Sequence, residues 1–317
     1  MNPWRLRLVC LFIVFSTALL FGCRGPTWQV GSQLLVTNRQ VQEALHDPMS
    51  GVPEPPFNPN AAPLFDAPGK TRPCCPFGMD LKLKLGAIRV PGYEKANLID
   101  LDGVGKHEYD NGAVTVQTQP GRAVLLENNG LLYTCRGGFI DTAHIRDNAD
   151  LTLFLTMRLA RGMPGPFTIE LPDQGTKRRI VVKKIPEDMI NLYGRIYTAS
   201  AMAQWLAYHL SIWHEVVTWY DWQSVKGFSE KLSAFSPEDS YSNLLGILIA
   251  SGVIRNQGAG SRDDYNHTMD AWIAAALRRL GAVSVENARI AMKAVDGRWW
   301  TSAKEIPDAH LVIKRNL

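Results

Sequence analysis

Two short stretches concentrate side chains that bind metals or move protons. The first runs from Tyr133 to Asp147 and reads YTCRGGFIDTAHIRD. Asp141, His144 and Asp147 recur every third residue, so on a helix they drift by about 60° per step and can face one cavity. An imidazole among carboxylates suits Zn²⁺ or another divalent first-row metal. The same residues also have structural uses: Asp141 as an N-cap, Asp147 as a partner for Arg146 or Arg161, and His144 as a satisfied interior group.

The second stretch, 201–222, reads AMAQWLAYHLSIWHEVVTWYDW and is apolar on nearly every side, the mark of a buried helix. Its polar exceptions therefore need partners, because a lone buried charge neutralises or destabilises the fold. His214, Thr218 and Asp221 share a face at i, i+4 and i+7, and Glu215 sits about 100° around from His214. His214-Glu215 resembles half of the HExxH metalloprotease motif, but Thr218 stands where the second histidine belongs, which argues against that class. Two readings fit. A metal lies between the helices, held by His144, Asp147, His214 and Asp221 with Asp141 in reserve, and Glu215 activates its water as general base. Otherwise the same groups form a polar network that fixes helix packing.

Cys135 is the third candidate. With Arg136 and two glycines after it, its thiolate would be favoured, and His144 as base would give thiol hydrolysis or acyl transfer. The competing use is a disulfide to Cys74 or Cys75 in an oxidising compartment. Lesser signals are His107 on a polar loop, His209 among Trp205, Tyr208 and Trp213, and five cations at 177–184 that suit anionic head groups or guard a sheet edge.

The elements that must position these groups follow from periodicity. Residues 80–85 and 113–117 alternate as strands. Residues 122–127 and 131–135 flank Asn128-Asn129-Gly130 as a hairpin, and 167–171 with 178–184 form another. Helices are expected at 141–161, 198–222, 236–254, 263–280 and 284–295, the third entered through an N-cap at Ser236 with Pro237 at its first position and Glu238 and Asp239 as an acidic first turn. A short helix fits within 32–46, and a last strand at 311–314. A strand-rich front half with hairpins packed against a helical back half is an α+β fold.

Residues 1–22 carry Arg5 and Arg7 ahead of an apolar run too short to span a bilayer, the layout of a secretory signal. Leu20-Phe21-Gly22-Cys23 resembles the bacterial lipobox, which implies cleavage before Cys23 and acylation of it. The expected product is a lipid-anchored, periplasm-facing envelope protein. Arg24 at the next position lacks the aspartate that resembles an inner-membrane retention signal, so the outer membrane is preferred. The Pro-rich stretch 23–70 reads as a tether and 71–317 as one domain.

Composition narrows the partners. The 317 residues hold 34 Lys+Arg against 30 Asp+Glu, a surplus of +4 that falls to +2 once Arg5 and Arg7 leave. No clustered basic footprint points to nucleic acid. The strings RPCCPFG at 72–78, YDNG at 109–112, YTCRGGFIDTAHIRDNAD at 133–150, WHEVVTWY at 213–220 and FSPEDSYSNLLG at 235–246 resemble an uncharacterised bacterial lipoprotein family, domain of unknown function 4056. That resemblance spans nearly the whole mature chain and carries no catalytic assignment. Three functions are therefore expected in turn. The first is metal-dependent hydrolysis of an envelope lipid, peptide or glycan. The second is a non-enzymatic structural or binding role, with Trp219, Trp222, Trp299 and Trp300 contacting another envelope component. The third is thiol chemistry at Cys135.

Overall fold

In chain order, α1 (Asn38–His46) is followed by three hairpins, of which the first is β1 (Leu81–Leu85) with β2 (Ile88–Lys95) and the second β3 (Leu131–Thr134) with β4 (Gly138–Asp141). Helix α2 (Thr142–Gly162) leads to the third, β5 (Phe167–Leu171) with β6 (Arg178–Val182). The remainder is helical: α3 (Glu187–Tyr193), α4 (Arg195–Trp219), α5 (Asp239–Arg255), α6 (Arg262–Leu280) and α7 (Val285–Ala294). The structure is a computed structural model describing residues 36–46, 58, 62–95, 97–112, 127–224, 226, 227 and 229–316. It is an α+β fold in which each hairpin is its own two-stranded antiparallel sheet.

Helix α2 is the hub. It is buried along most of its length, apart from a partly exposed strip through Asp147, Leu151 and Arg158, and packs on both α4 and α5, while α1 and α6 cover α5. Ile145, Leu153, Leu155 and Leu159 of α2 join Leu245, Ile249 and Val253 of α5 and Tyr265 and Trp272 of α6 in the larger core. Ala199, Ala203 and Ala207 give α4 a buried face of small side chains at four-residue spacing, which permits close helix approach. A smaller core gathers Phe77, Leu131, Phe139, Met292, Trp300 and Leu311 around α7. Val41, Ala44 and Phe65 are buried in the larger core, so parts of the stretch expected as tether pack onto the domain.

The segment entering the domain is fastened by ions. Arg72 is buried and directs Nε and a terminal nitrogen to Glu127 at 2.6 and 2.7 Å, and its other terminal nitrogen to Asp147 and Asp150 at 2.6 and 3.1 Å. Removing one partner from such a buried set costs about 3–5 kcal/mol, because the others remain charged and dry. His107 belongs to this network: it is buried, with Nε2 3.0 Å from Asp150, rather than solvated on a loop.

Several expectations are corrected. Residues 131–134 pair with 138–141, a hairpin that the spacing did not predict. The turn closes on Gly137 and Gly138, where Gly138 has φ +71° and the Thr134 hydroxyl accepts the Gly137 N–H. Residues 113–117 and 122–126 lie outside the described residues. In place of a strand at 311–314 there is a 3-10 turn, Ala309–Leu311, and a single bridge from Val312 to Trp300. Helix α5 begins at Asp239, and Ser236 does not cap it; instead the Asp239 carboxylate accepts the Ser236 N–H at 2.6 Å.

At the crossing of α2 and α5, Gly246 lies so close to Ile145 that a Cβ would overlap the Ile145 carbonyl. Gly246→Ala should therefore force these helices apart, at a cost of roughly 2–3 kcal/mol. The expected readout is a melting temperature lowered by about 5–10 °C in calorimetry.

Candidate metal centre

The site forms where α2, α4 and the turn into α5 converge. Asp141 caps α2 as its spacing predicts, its Oδ1 accepting the Ala143 N–H at 2.7 Å. That cap sets the direction of the first turn and places His144 in the interior, 4% exposed. His144 Nδ1 donates to Asn243 Oδ1 at 2.8 Å, and Asn148 donates to the same oxygen at 2.6 Å. With two donors converging on it, the amide oxygen fixes the imidazole tautomer and leaves Nε2 for another partner. Nε2 lies 3.3 Å from Asp239 Oδ1 and 4.0 Å from Asp141 Oδ2, and it makes no hydrogen bond.

Glu215 comes from α4. Its Oε2 accepts the N–H of Phe235, a residue held at φ +58° just before the turn into α5. Its Oε1 is buried without a hydrogen bond, 3.9 Å from His144 Nδ1. His144, Glu215 and Asp239 each offer one ligand atom, and these atoms lie within 4.8 Å of one another. A single divalent ion with bonds of about 2.0–2.4 Å reaches across that span. Glu238 adds a fourth carboxylate beside Asp141, Glu215 and Asp239, with Oε2 likewise unpaired.

The electrostatics follow from crowding acids in a dry place. Burial pushes the Glu215 carboxyl well up, and Asp239 pushes it further, against the pull of His144 and the Phe235 N–H. Glu238 and Asp239 are raised well above the carboxylate range by burial and by their acidic neighbours. For His144 burial opposes the charge, but Asp141, Glu215 and the Asn243 hydrogen bond outweigh it and raise the imidazole above its ordinary value. His214 goes the other way: burial, His144 and Arg178 lower it to about 3.

A cleft of about 80 Å³ reaches this centre at His144. Cys74, His214, Gln174, Arg178 and Leu210 are among its walls. His214 stands in the cleft with its ring centroid 6.2 Å from that of His144. Gln174 lies 2.5 Å from His214 Nδ1, and the Cys74 sulfur 3.6 Å from Nε2. The Arg72-Pro73-Cys74-Cys75 segment is held by three carboxylates. Asp147 accepts the Arg72 N–H, Glu230 that of Cys74 and Asp141 that of Cys75.

The expected ligand set is thus redrawn. His144 is in the centre, and Glu215 offers a ligand oxygen rather than standing off as a base. Asp147 is turned to Arg72, and Asp141 spends its oxygens on Ala143 and Cys75. His214 is a neighbour in the cleft, outside the three-ligand group. Asp221 lies past the end of α4 at φ +70°, exposed, and accepts the Ser229 hydroxyl. Cys135 is exposed on the β3–β4 turn against Gly281, whereas His144 is buried against Asn243 and Asp239. Cys74, Cys75 and Cys135 are all free thiols, so the expected disulfide is not formed: the hairpin carries Cys135 to the end of α6 while Cys74 and Cys75 face the interior.

Asp239, Glu238, Asn243, Cys74 and Gln174 are the residues that sequence reasoning missed as site members. The acids at 238 and 239 read as ordinary helix-start charges. A usable signal was present, since α5 is apolar all round and its first turn must therefore be buried with it.

A family model described as a protein of unknown function, DUF4056, matches residues 62–317. The chain belongs to that family. No curated protein and no solved structure matches it.

Raised folded-state pKa values give a definite pH dependence. For Glu215, Glu238, Asp239 and His144 the stabilising contribution is complete below the unfolded pKa and is lost as pH rises through the folded one. Above pH 6.5 His214 is neutral in both states and does not oppose this. The metal-free protein should therefore lose melting temperature as pH rises above about 6.5, and Glu215→Gln should flatten that slope in a thermal-shift series.

Proposed function

We propose that this chain is an acylated envelope lipoprotein whose buried centre binds a divalent metal and serves hydrolysis of an envelope lipid, peptide or glycan. The observation that carries the metal reading is the convergence of His144, Glu215 and Asp239 within 4.8 Å, with His144 Nε2 and Glu215 Oε1 buried and lacking hydrogen bonds. Buried polar atoms left in that state in a native protein call for an ion or water to complete them. The donor set, one imidazole with carboxylates, suits Zn²⁺ or Mn²⁺. The lipoprotein reading rests on the charged start, the short apolar run and Leu20-Phe21-Gly22-Cys23, and it makes a membrane the anchoring partner at Cys23.

A metal here would polarise a carbonyl or phosphoryl oxygen and acidify a bound water. The chain's own groups divide the remaining work. Asn243 orients His144, and the Phe235 N–H orients Glu215. His214, braced by Gln174, faces the cleft and is placed to move protons there. Isothermal titration of metal-stripped protein with Zn²⁺ and Mn²⁺ tests the reading. One equivalent should bind, His144→Ala and Asp239→Asn should abolish it, and Asn243→Ala should weaken it by about 10–100-fold. No binding by the unsubstituted protein to either ion would sink the metal reading.

One observation favours a second reading. Cys74, His214 and Gln174 stand in line in the cleft, sulfur to imidazole to amide, the arrangement of a thiol nucleophile with an oriented base. This moves the expected thiol chemistry from Cys135 to Cys74. Burial and the acids Glu230, Glu215 and Asp239 hold the Cys74 thiol well above its ordinary pKa, which works against a resting thiolate. Iodoacetamide labelling read by peptide mass spectrometry separates the two. The metal reading expects Cys135, exposed, to label first and Cys74 to stay slow, with hydrolysis retained in Cys74→Ser.

A further inference from the structure

Helix α4 has an outer face that a water-exposed helix ordinarily lacks. Between Arg195 and Glu215 it holds no Asp, Glu, Lys or Arg. Ala201, Trp205, His209 and Ile212 are its exposed positions there, at spacings of four, four and three, so they form one stripe. Trp205 is 63% exposed and Ile212 43%. The short α3 packs against α4 and buries none of its own residues. Instead Met189, Leu192 and Tyr193 stand exposed at i, i+3 and i+4.

Cations precede α3 directly in the chain, where Lys184 pairs with the exposed Glu187 at the start of that helix at 3.7 Å. Just ahead of α3, the outward side of β6 and its flanks presents Lys177, Arg179, Val181 and Lys183 at every second residue, with Lys184 beside them, all exposed. Exposed Trp, Tyr and aliphatic side chains together with Lys and Arg match the chemistry of a membrane interface, where the rings enter the head-group region and the cations meet lipid phosphates. No helix among the described residues is long and apolar enough to cross a membrane, so the matching geometry is a helix lying on the surface.

We propose that α3, the outer stripe of α4 and the β6 cations form a docking face for an anionic lipid bilayer. The face is independent of acylation at Cys23 and of the metal centre. It has a consequence for access to the cleft, because α4 carries Trp205 and Ile212 outward while Leu210, Ser211 and His214 line the cleft, and β6 contributes Arg178 to the same walls. A bilayer-bound molecule therefore holds its cleft beside the lipid head groups.

Vesicle flotation tests the docking face, using the mature chain 23–317 carrying Cys23→Ser so that neither the apolar leader 1–22 nor an acyl anchor contributes. Phosphatidylcholine vesicles with and without phosphatidylglycerol are compared at low and high salt. The chain should prefer the anionic vesicles, and salt should weaken the preference. Adding Leu192→Ser and Trp205→Ser should weaken binding by roughly tenfold or more, with the melting temperature unchanged because both side chains are exposed. Adding Lys183→Glu and Lys184→Glu should remove the preference for phosphatidylglycerol. Equal flotation of all these chains would overturn the proposal. So would a Cys23→Ser chain that ignores vesicles and elutes as a dimer that Trp205→Ser dissociates, since a second copy would then cover the face.

Discussion

A carboxylate taken out of water must find a proton, a cation or several hydrogen bonds, and the interior of this protein places four acids around one imidazole. Asp141, Glu215, Glu238 and Asp239 gather about His144 because three elements are compelled to meet there. The Gly246–Ile145 crossing brings α5 onto α2, and the buried alanine face belongs to α4. Each helix buries a face against the others, so the polar residues on that face are buried with it. Hydrophobic burial thus carries the acids into the interior and leaves their charge to be settled locally.

The protein settles the same problem differently a short distance along α2. Around Arg72, the acids Glu127, Asp147 and Asp150 meet a guanidinium with matched hydrogen bonds, and His107 and Arg146 lie alongside. That set has its own cations, and it secures the entry segment. The His144 set has acids in excess and unpaired lone pairs at His144, Glu215 and Glu238. Both sets keep buried atoms without a hydrogen bond, among them His107 and Arg146 in the first, but of the two only the His144 set has carboxylates well in excess of its cations.

Fastening the entry segment also bears on the cleft. Asp141 and Asp147 at the start of α2 and Glu230 after α4 accept the N–H groups of Cys75, Arg72 and Cys74, and this fixes the Cys74 sulfur against His214. Asp141 takes part in this as well as in capping α2. One acid thereby ties the start of the site-bearing helix to the wall of its cleft.

The sequence determined a good deal unaided. Helices at the expected places, the Asp141 cap, the 167–184 hairpin and the need of polar groups on α4 for partners all follow from local periodicity and capping, which act within a few residues. His144 and Glu215 were recognisable because polar residues on apolar helices stand out. Their partners were not: Asn243 lies 99 residues from His144, and Cys74 lies 140 residues from His214. By spacing Asp147 and Asp221 fall on the right faces, but Asp147 is claimed by Arg72, and Asp221 lies past the end of α4 and accepts from Ser229. Spacing fixes which way a side chain points from its own helix. Which charge or lone pair it meets depends on how the helices pack, and only the tertiary structure decided that Asp239, not Asp147 or Asp221, stands opposite His144.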